Sequence, residues 1–394
     1  MKVISTDASL HSSHKSLMFK TSNQKTNLVS SSSTEDEHEK LNHLKAILNE
    51  DPMNWQIFLD LDNDLDVFSH PSYQCPFLWI LKHFPSDDVV EILLNRHHGK
   101  LFSNEEDVKQ ILDGAVMLGS TVVVEYITRH FPEILYEKMD ENGNTVLHRT
   151  QKAEIASIIV SANPSLLGIP NYIMNLPLHE AIIHFCSPEH VQLFVERGMN
   201  YLTRQNAYGE TPLSILLRQV ANGVDIPTLS LPFCRNDQYL WEKLNILIKA
   251  QFETDLDSKF SILHRLIQLK SPAAAIHMAI LMEPLQAQQG DTNGNLPLSL
   301  LVENYEYRKR TIDALIDIFP DAASVPNSHG EYALHLCAKS GRLYNEGIDS
   351  VLKANPSATT RCDCNGMVPF MDAASKAKSL DTIYRLLSHC PNNL

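Results

Sequence analysis

The chain has 394 residues, of which 43% are hydrophobic and 20% charged, and its formal net charge is −14. That length holds two or three compact domains or one long repeat array, and the apolar fraction is enough to build a core. The acidic balance argues against non-specific binding to nucleic acid or to an anionic membrane, both of which need basic surface.

Residues 1–34 are rich in Ser, Thr, Asn and Lys, and set one acid, Asp7, against Lys2, Lys15, Lys20 and Lys25. This composition reads as a disordered tail. An organelle-targeting peptide and serine phosphorylation stay open, although the tail lacks arginine and clear apolar periodicity. It also lacks the apolar core of a secretory signal. The charge then reverses. Glu35, Asp36, Glu37 and Glu39 open a helix behind Thr34, where acids favour a helix N-terminus. Leu41, Leu44, Ile47 and Leu48 give it one apolar stripe, so residues 35–70 are expected to cap the segment that begins at residue 71.

From residue 71 onward a period emerges. The stretches DENGNTVL (140–147), NAYGETPL (206–213), DTNGNLPL (291–298), NSHGEYAL (327–334) and DCNGMVPF (363–370) share one pattern. An Asp or Asn stands seven residues before a large apolar residue, and a glycine stands four before it. A sixth copy, NYIMNLPL (171–178), puts Met174 in the glycine place. Spacing adds Phe77, Leu112 and Leu263. The apolar anchors are then Phe77, Leu112, Leu147, Leu178, Leu213, Leu263, Leu298, Leu334 and Phe370, separated by 35, 35, 31, 35, 50, 35, 36 and 36 residues. A second marker keeps the same step. Pro132, Pro164, Pro284, Pro320 and Pro356 each follow an apolar run, where a residue without an amide hydrogen stops a helix. Each unit therefore reads as turn, helix, loop, helix. The long step from Leu213 to Leu263 points to a loop at 221–240, and Trp241, Leu244, Ile246 and Leu247 resume a helix.

The unit resembles the ankyrin repeat. Its signature of Asx, Gly and Thr-Pro-Leu-His is met most closely by Thr211-Pro212-Leu213, by Leu176-Pro177-Leu178-His179 and by Thr145-Val146-Leu147-His148. His264 and His335 fill the histidine place in two further units. The 35–36 residue steps exceed the family's usual length of about 33 and look like divergent protist or algal units. The resemblance implies an all-α solenoid of about nine units over 71–394, with short hairpin-like turns between them. The signature histidines would bond to the backbone of the neighbouring unit. A tetratricopeptide array is disfavoured, because its units have no Asx-x-x-Gly turn.

Catalytic and metal chemistry are not expected. His179, Glu180 and His184 space their rings one residue too far for a zincin helix. Cys362-x-Cys364 has no nearby partners to complete four zinc ligands. The seven cysteines form no framework, which reads as free thiols in a reducing compartment. No nucleotide or nucleophile-elbow motif occurs. No stretch approaches the roughly 18 uninterrupted apolar residues of a membrane-spanning helix.

The expected function is a protein-binding scaffold or adaptor without cofactors, monomeric by itself and cytoplasmic, with the nucleus open. A structural or regulatory subunit of a larger complex is the alternative. An enzyme built on Asp225, Cys234 and Asp237 of the long loop lacks an evident base. By the ankyrin resemblance, the turn tips form a concave binding face. The candidates are Glu141, Asn142, Tyr208, Thr292, Asn293, Ser328, His329 and Asp363, with Tyr208 and His329 as aromatic anchors for a basic or mixed protein partner.

Overall fold

A computed structural model describes residues 76–83, 87–223, 235–252, 261–376 and 379–389. The chain divides into two compact units, Met1–Pro76 and Phe77–Leu394. All described residues except Pro76 belong to the second, so the tail expected at 1–34 and the cap expected at 35–70 lie outside them.

The described elements alternate in two rows. The first row holds α1 (Pro76–His83), α3 (Glu105–Leu118), α5 (Val146–Arg149), α7 (Pro177–Ile183), α9 (Pro212–Gly223), α11 (Ile262–Gln268), α13 (Pro297–Glu303), α15 (Ala333–Lys339) and α17 (Pro369–Lys376). The second row holds α2 (Asp87–Leu101), α4 (Thr121–His130), α6 (Ala153–Ala162), α8 (Pro188–Arg197), α10 (Arg235–Phe252), α12 (Ala273–Met282), α14 (Lys309–Ile318), α16 (Ile348–Ala354) and α18 (Leu380–Ser388). From α2 to α16 each second-row helix packs on the next, and α3, α5, α7 and α9 do the same in the first row, as do α11, α13, α15 and α17. Helix α12 also packs against both α9 and α10. No strand occurs among the described residues. Several first-row helices have only seven residues, too few to persist alone in water, so stacking on neighbours stabilises them.

Eight of the nine expected anchors occupy the second position of a first-row helix. Phe77, Leu147, Leu178, Leu213, Leu263, Leu298 and Leu334 are buried there. Phe370 is only half-buried, and α17 is the last first-row helix among the described residues. Leu112 corrects the expected register. It is buried, but lies mid-helix in α3, a 14-residue helix that starts at Glu105 behind an Asn104 cap. Spacing found the apolar face there but not the helix start.

The prolines do more than stop the second helices. Pro132, Pro164, Pro284, Pro320 and Pro356 each open a five-residue 3₁₀ turn. The residues before them, Phe131, Asn163, Glu283, Phe319 and Asn355, have ψ between 57° and 96°. A following proline disfavours helical backbone, which ends the second helix one residue early.

Only part of the loop expected at 221–240 falls within the described residues, and that part is helical. Helix α9 runs through Gly223 and α10 begins at Arg235, leaving 224–234 outside the described residues. Leu240 and Trp241 are buried, so α10 extends toward its N-terminus along an apolar face.

Candidate protein interface

Among the described residues six turns link successive units, and each is organised by its Asx side chain. Asn206 Oδ1 accepts from the amides of Tyr208 and Glu210, both at 2.9 Å. Asp291 Oδ1 does the same with Asn293 and Asn295, both at 2.8 Å. Asp140, Asn171, Asn327 and Asp363 repeat the pair of bonds. The residue three places on takes a left-handed backbone. Gly143, Gly209, Gly294, Gly330 and Gly366 have φ from 71° to 75°, and Met174 has φ 62°. Met174 therefore adopts the glycine geometry at a cost that glycine avoids.

The turns are also joined to one another. The Tyr172 amide donates to Asn142 O at 3.0 Å and the Ala207 amide to Ile173 O at 2.9 Å. Farther along, Ser328 N donates to Asn293 O at 3.1 Å and Cys364 N to His329 O at 2.9 Å. Side chains reinforce this ladder. Asn171 Nδ2 donates to Asn144 Oδ1, Asn206 Nδ2 to Asn175 Oδ1, and Asn327 Nδ2 to Asn295 Oδ1, at 2.9, 3.0 and 3.1 Å. The result is two runs of turns, 140–210 and 291–367, in which each turn is bonded to its neighbour and the middle turn of each run is bonded on both sides.

Of the expected candidates, Glu141, Asn142, Tyr208, Thr292, Asn293, Ser328 and His329 are exposed at these tips. Asp363 is not available there. Its side chain is fully covered, with Oδ1 committed to Asn365 and Met367 and Oδ2 to Lys339. Burial opposes its ionisation, yet the two backbone amides and the Lys339 ammonium hold its carboxyl down at about 2. The same Asx role that made it visible in the sequence removes it from the surface. Lys339 also pairs with Glu331 and lies 3.8 Å from Asp372, tying the last two units together.

The expected set of tips misses a larger feature. Tyr172, Ile173 and Met174 form the tip of the second turn and are exposed by 70%, 41% and 51%. The Tyr172 ring lies over Gly143 of the preceding turn, where an added Cβ would stand 2.6 Å from the ring. Tyr208, 72% exposed, occupies the next tip. Three consecutive apolar residues at a turn tip, where polar residues are the rule, were the signal in the sequence.

The histidines of the signature face inward. His179 Nε2 reaches Glu210 O at 3.2 Å while Nδ1 accepts from the Leu176 amide at 3.1 Å. His184, five residues on, is mostly exposed and points to Glu180 at 3.3 Å, so the two rings serve different partners. Cys362 and Cys364 are exposed free thiols, while Cys186 and Cys337 are buried. Among the described residues no group of three or more His, Cys, Asp or Glu side chains is gathered as for a metal ion. No described helix is long and apolar enough to cross a membrane.

No protein-family model matches the chain, and no curated protein matches it. Among solved structures it is similar to the crystal structure of the ankyrin repeat domain of Bcl-3, described there as a unique member of the IkappaB protein family. The identity is 17%, the match covers 63% of this chain and 100% of that one, and the TM-score is 0.36. The repeating turn, helix, loop, helix geometry makes the described residues an all-α helical repeat array.

Proposed function

We propose that the chain is a divergent ankyrin-repeat protein that acts as a non-catalytic scaffold, binding a protein partner along its row of turn tips. The observation that carries this reading is the apolar strip Tyr172, Ile173, Met174 and Tyr208. These side chains stand exposed on turns whose backbones are bonded to each other. Large apolar groups on rigid supports offer contact area at little entropic cost, as interface anchors do. Glu141, Asn142, Thr292, Asn293, Ser328 and His329 supply the polar remainder of the face. The net charge of −14 favours a basic or mixed partner through steering.

The test is affinity capture from the source cells with the intact chain and with Tyr172→Ala, Met174→Ala and Tyr208→Ala combined. Each position is exposed, so folding is expected to survive. Specific loss of one captured protein, reproduced with purified components, supports the reading. Retention of every captured protein rejects the tips as the binding face. Partners retained by a soluble monomer also weigh against the alternative of an obligate structural subunit.

A further inference from the structure

A cavity of about 360 Å³ opens where α12 and α14 begin, and none of its lining residues belongs to the turns. Its volume lies within the roughly 300–1,000 Å³ of small-ligand pockets. Lys270, Ser271, His277, Glu306, Arg308 and Arg310 are among the residues that line it.

Three independent features of this place favour an anion. The first is backbone. Helices α12 and α14, each ten residues long, start behind Pro272 and Arg308 with no side-chain cap. Uncapped starts leave amide hydrogens unpaired and concentrate the positive end of the helix dipole. The second is a pair of unsatisfied polar atoms. Ser271 is 3% exposed and His277 8%, and neither Ser271 Oγ nor His277 Nε2 has a hydrogen-bond partner. Buried polar atoms without partners are costly, and a polar ligand offsets that cost. The third is charge. Lys270 is paired with Glu306 at 3.1 Å, and Lys309 with Asp349, but Arg308 and Arg310 have no carboxylate partner among the described residues. An acidic chain thus carries two unpaired guanidinium groups at one uncapped cavity.

We propose that this cavity binds a phosphate group, held by Arg308 and Arg310, the first amides of α12 and α14, and the Ser271 hydroxyl. Guanidinium suits a tetrahedral oxyanion because its donors are held in a planar fork. The Ser271 hydroxyl and His277 Nε2 then gain the acceptor they lack. Burial, reinforced by Arg310, pushes the His277 imidazole below its ordinary range, so near neutrality it serves as a neutral donor. Glu306 stays neutralised by Lys270 at the rim.

The experiment is calorimetric titration of the full chain with inorganic phosphate, with O-phosphoserine and with acetate. Saturable binding of either phosphate compound, well above acetate, is expected. Phosphate alone identifies the free ion as the ligand, and phosphoserine binding at least as tight identifies a phosphate monoester. The double variant Arg308→Ala, Arg310→Ala changes only exposed side chains and should lose about tenfold or more in affinity, the scale of a lost charge-assisted hydrogen bond. Ser271→Ala leaves the charge unchanged and should lose several-fold. Absence of saturable phosphate binding overturns the proposal. So does acetate binding as tightly as phosphate, or a Ser271→Ala affinity equal to that of the parent chain, which would reduce the cavity to a diffuse basic patch.

Discussion

The imidazole of His148 is bonded to Asn175 of the next unit, its Nε2 lying 3.0 Å from the Asn175 carbonyl oxygen. On the other side Nδ1 accepts from the Thr145 amide at 3.1 Å. This geometry needs a neutral ring that donates from Nε2 and accepts at Nδ1. His179 and His335 repeat it, whereas at His264 the Nδ1 atom has no partner, the helix being capped instead by Ser261.

Acid should therefore weaken the stack. Burial takes His148 and His190 down to about 4, and lowers His179, His264 and His335. A depressed pKa in the folded state means that the unfolded chain binds protons first. The stability present above pH 6.5 is lost as pH falls toward 4. For His148 the loss is about 2 kcal/mol at pH 5 and about 3 kcal/mol at pH 4. Asp372, pushed up to about 6 by burial, acts in the opposite direction, because its folded form binds the proton first as pH falls. Comparing the parent chain with His148→Gln separates the two. Urea unfolding at pH 7 and pH 5 should show a smaller difference in the variant. An equal difference would show that the His148 ring is already protonated or solvated.

Leu298 and Leu334 are fully buried at the second position of α13 and α15, between neighbouring units. Each change to alanine should cost about 2–5 kcal/mol through lost burial and the cavity left behind. Phe370→Ala should fall below Leu298→Ala despite the larger side chain, since Phe370 is only half-buried. Denaturant midpoints with unchanged slopes are the measurement. A loss below about 1 kcal/mol at Leu298 would mean that the site is not a packed core position.

Local chemistry made most of this fold legible. An Asx side chain reaching forward to two amides, a left-handed residue three places on and a proline after an apolar run are all contained within a few residues. They therefore survive in the sequence as a period. The α3 register was not legible, because residues near Glu105 carry no turn signature and the apolar stripe through Leu112 reads the same from any start. Asp363 was misplaced for another reason: the Asx role that marks its turn turns its carboxylate inward to the Asn365 and Met367 amides, and Lys339, 24 residues earlier, covers the other oxygen. The Tyr172–Met174 tip was legible as three consecutive apolar residues in a turn, whereas the cavity between α12 and α14 depends on which units become neighbours.

Arg342 shows what stacking adds. Its side chain is 3% exposed and donates to the carbonyls of Val302 at 3.0 Å, Tyr307 at 2.6 Å and Glu346 at 3.4 Å, with Asn304 also accepting. Val302 lies in the last turn of α13, where carbonyls have no intrahelical partner. Arg342→Met should cost on the order of 3 kcal/mol, because several buried acceptors lose a charged donor together. Arg342→Lys should recover only part of that, since an ammonium lacks the planar fork. Equal stability of the Met variant in urea unfolding would show that water replaces the guanidinium.

Met174 sets stability against binding. It holds φ 62° in the one described Asx turn that lacks glycine, and its side chain is half exposed. A left-handed backbone costs a side-chain-bearing residue roughly 1–2 kcal/mol, while glycine carries a larger entropy loss on folding of roughly 0.5–1 kcal/mol. Met174→Gly should therefore leave stability unchanged or raise it by up to about 1.5 kcal/mol, while removing one member of the apolar strip. Gly143→Ala is the control in the preceding turn. It forces a side chain onto φ 71° and into the Tyr172 ring, so it should destabilise the chain and displace Tyr172. If the tips bind a protein, Met174→Gly weakens capture without loss of stability. A variant that is as stable as the parent and captures the same partner with the same affinity would show that methionine occupies the glycine position for no reason of binding.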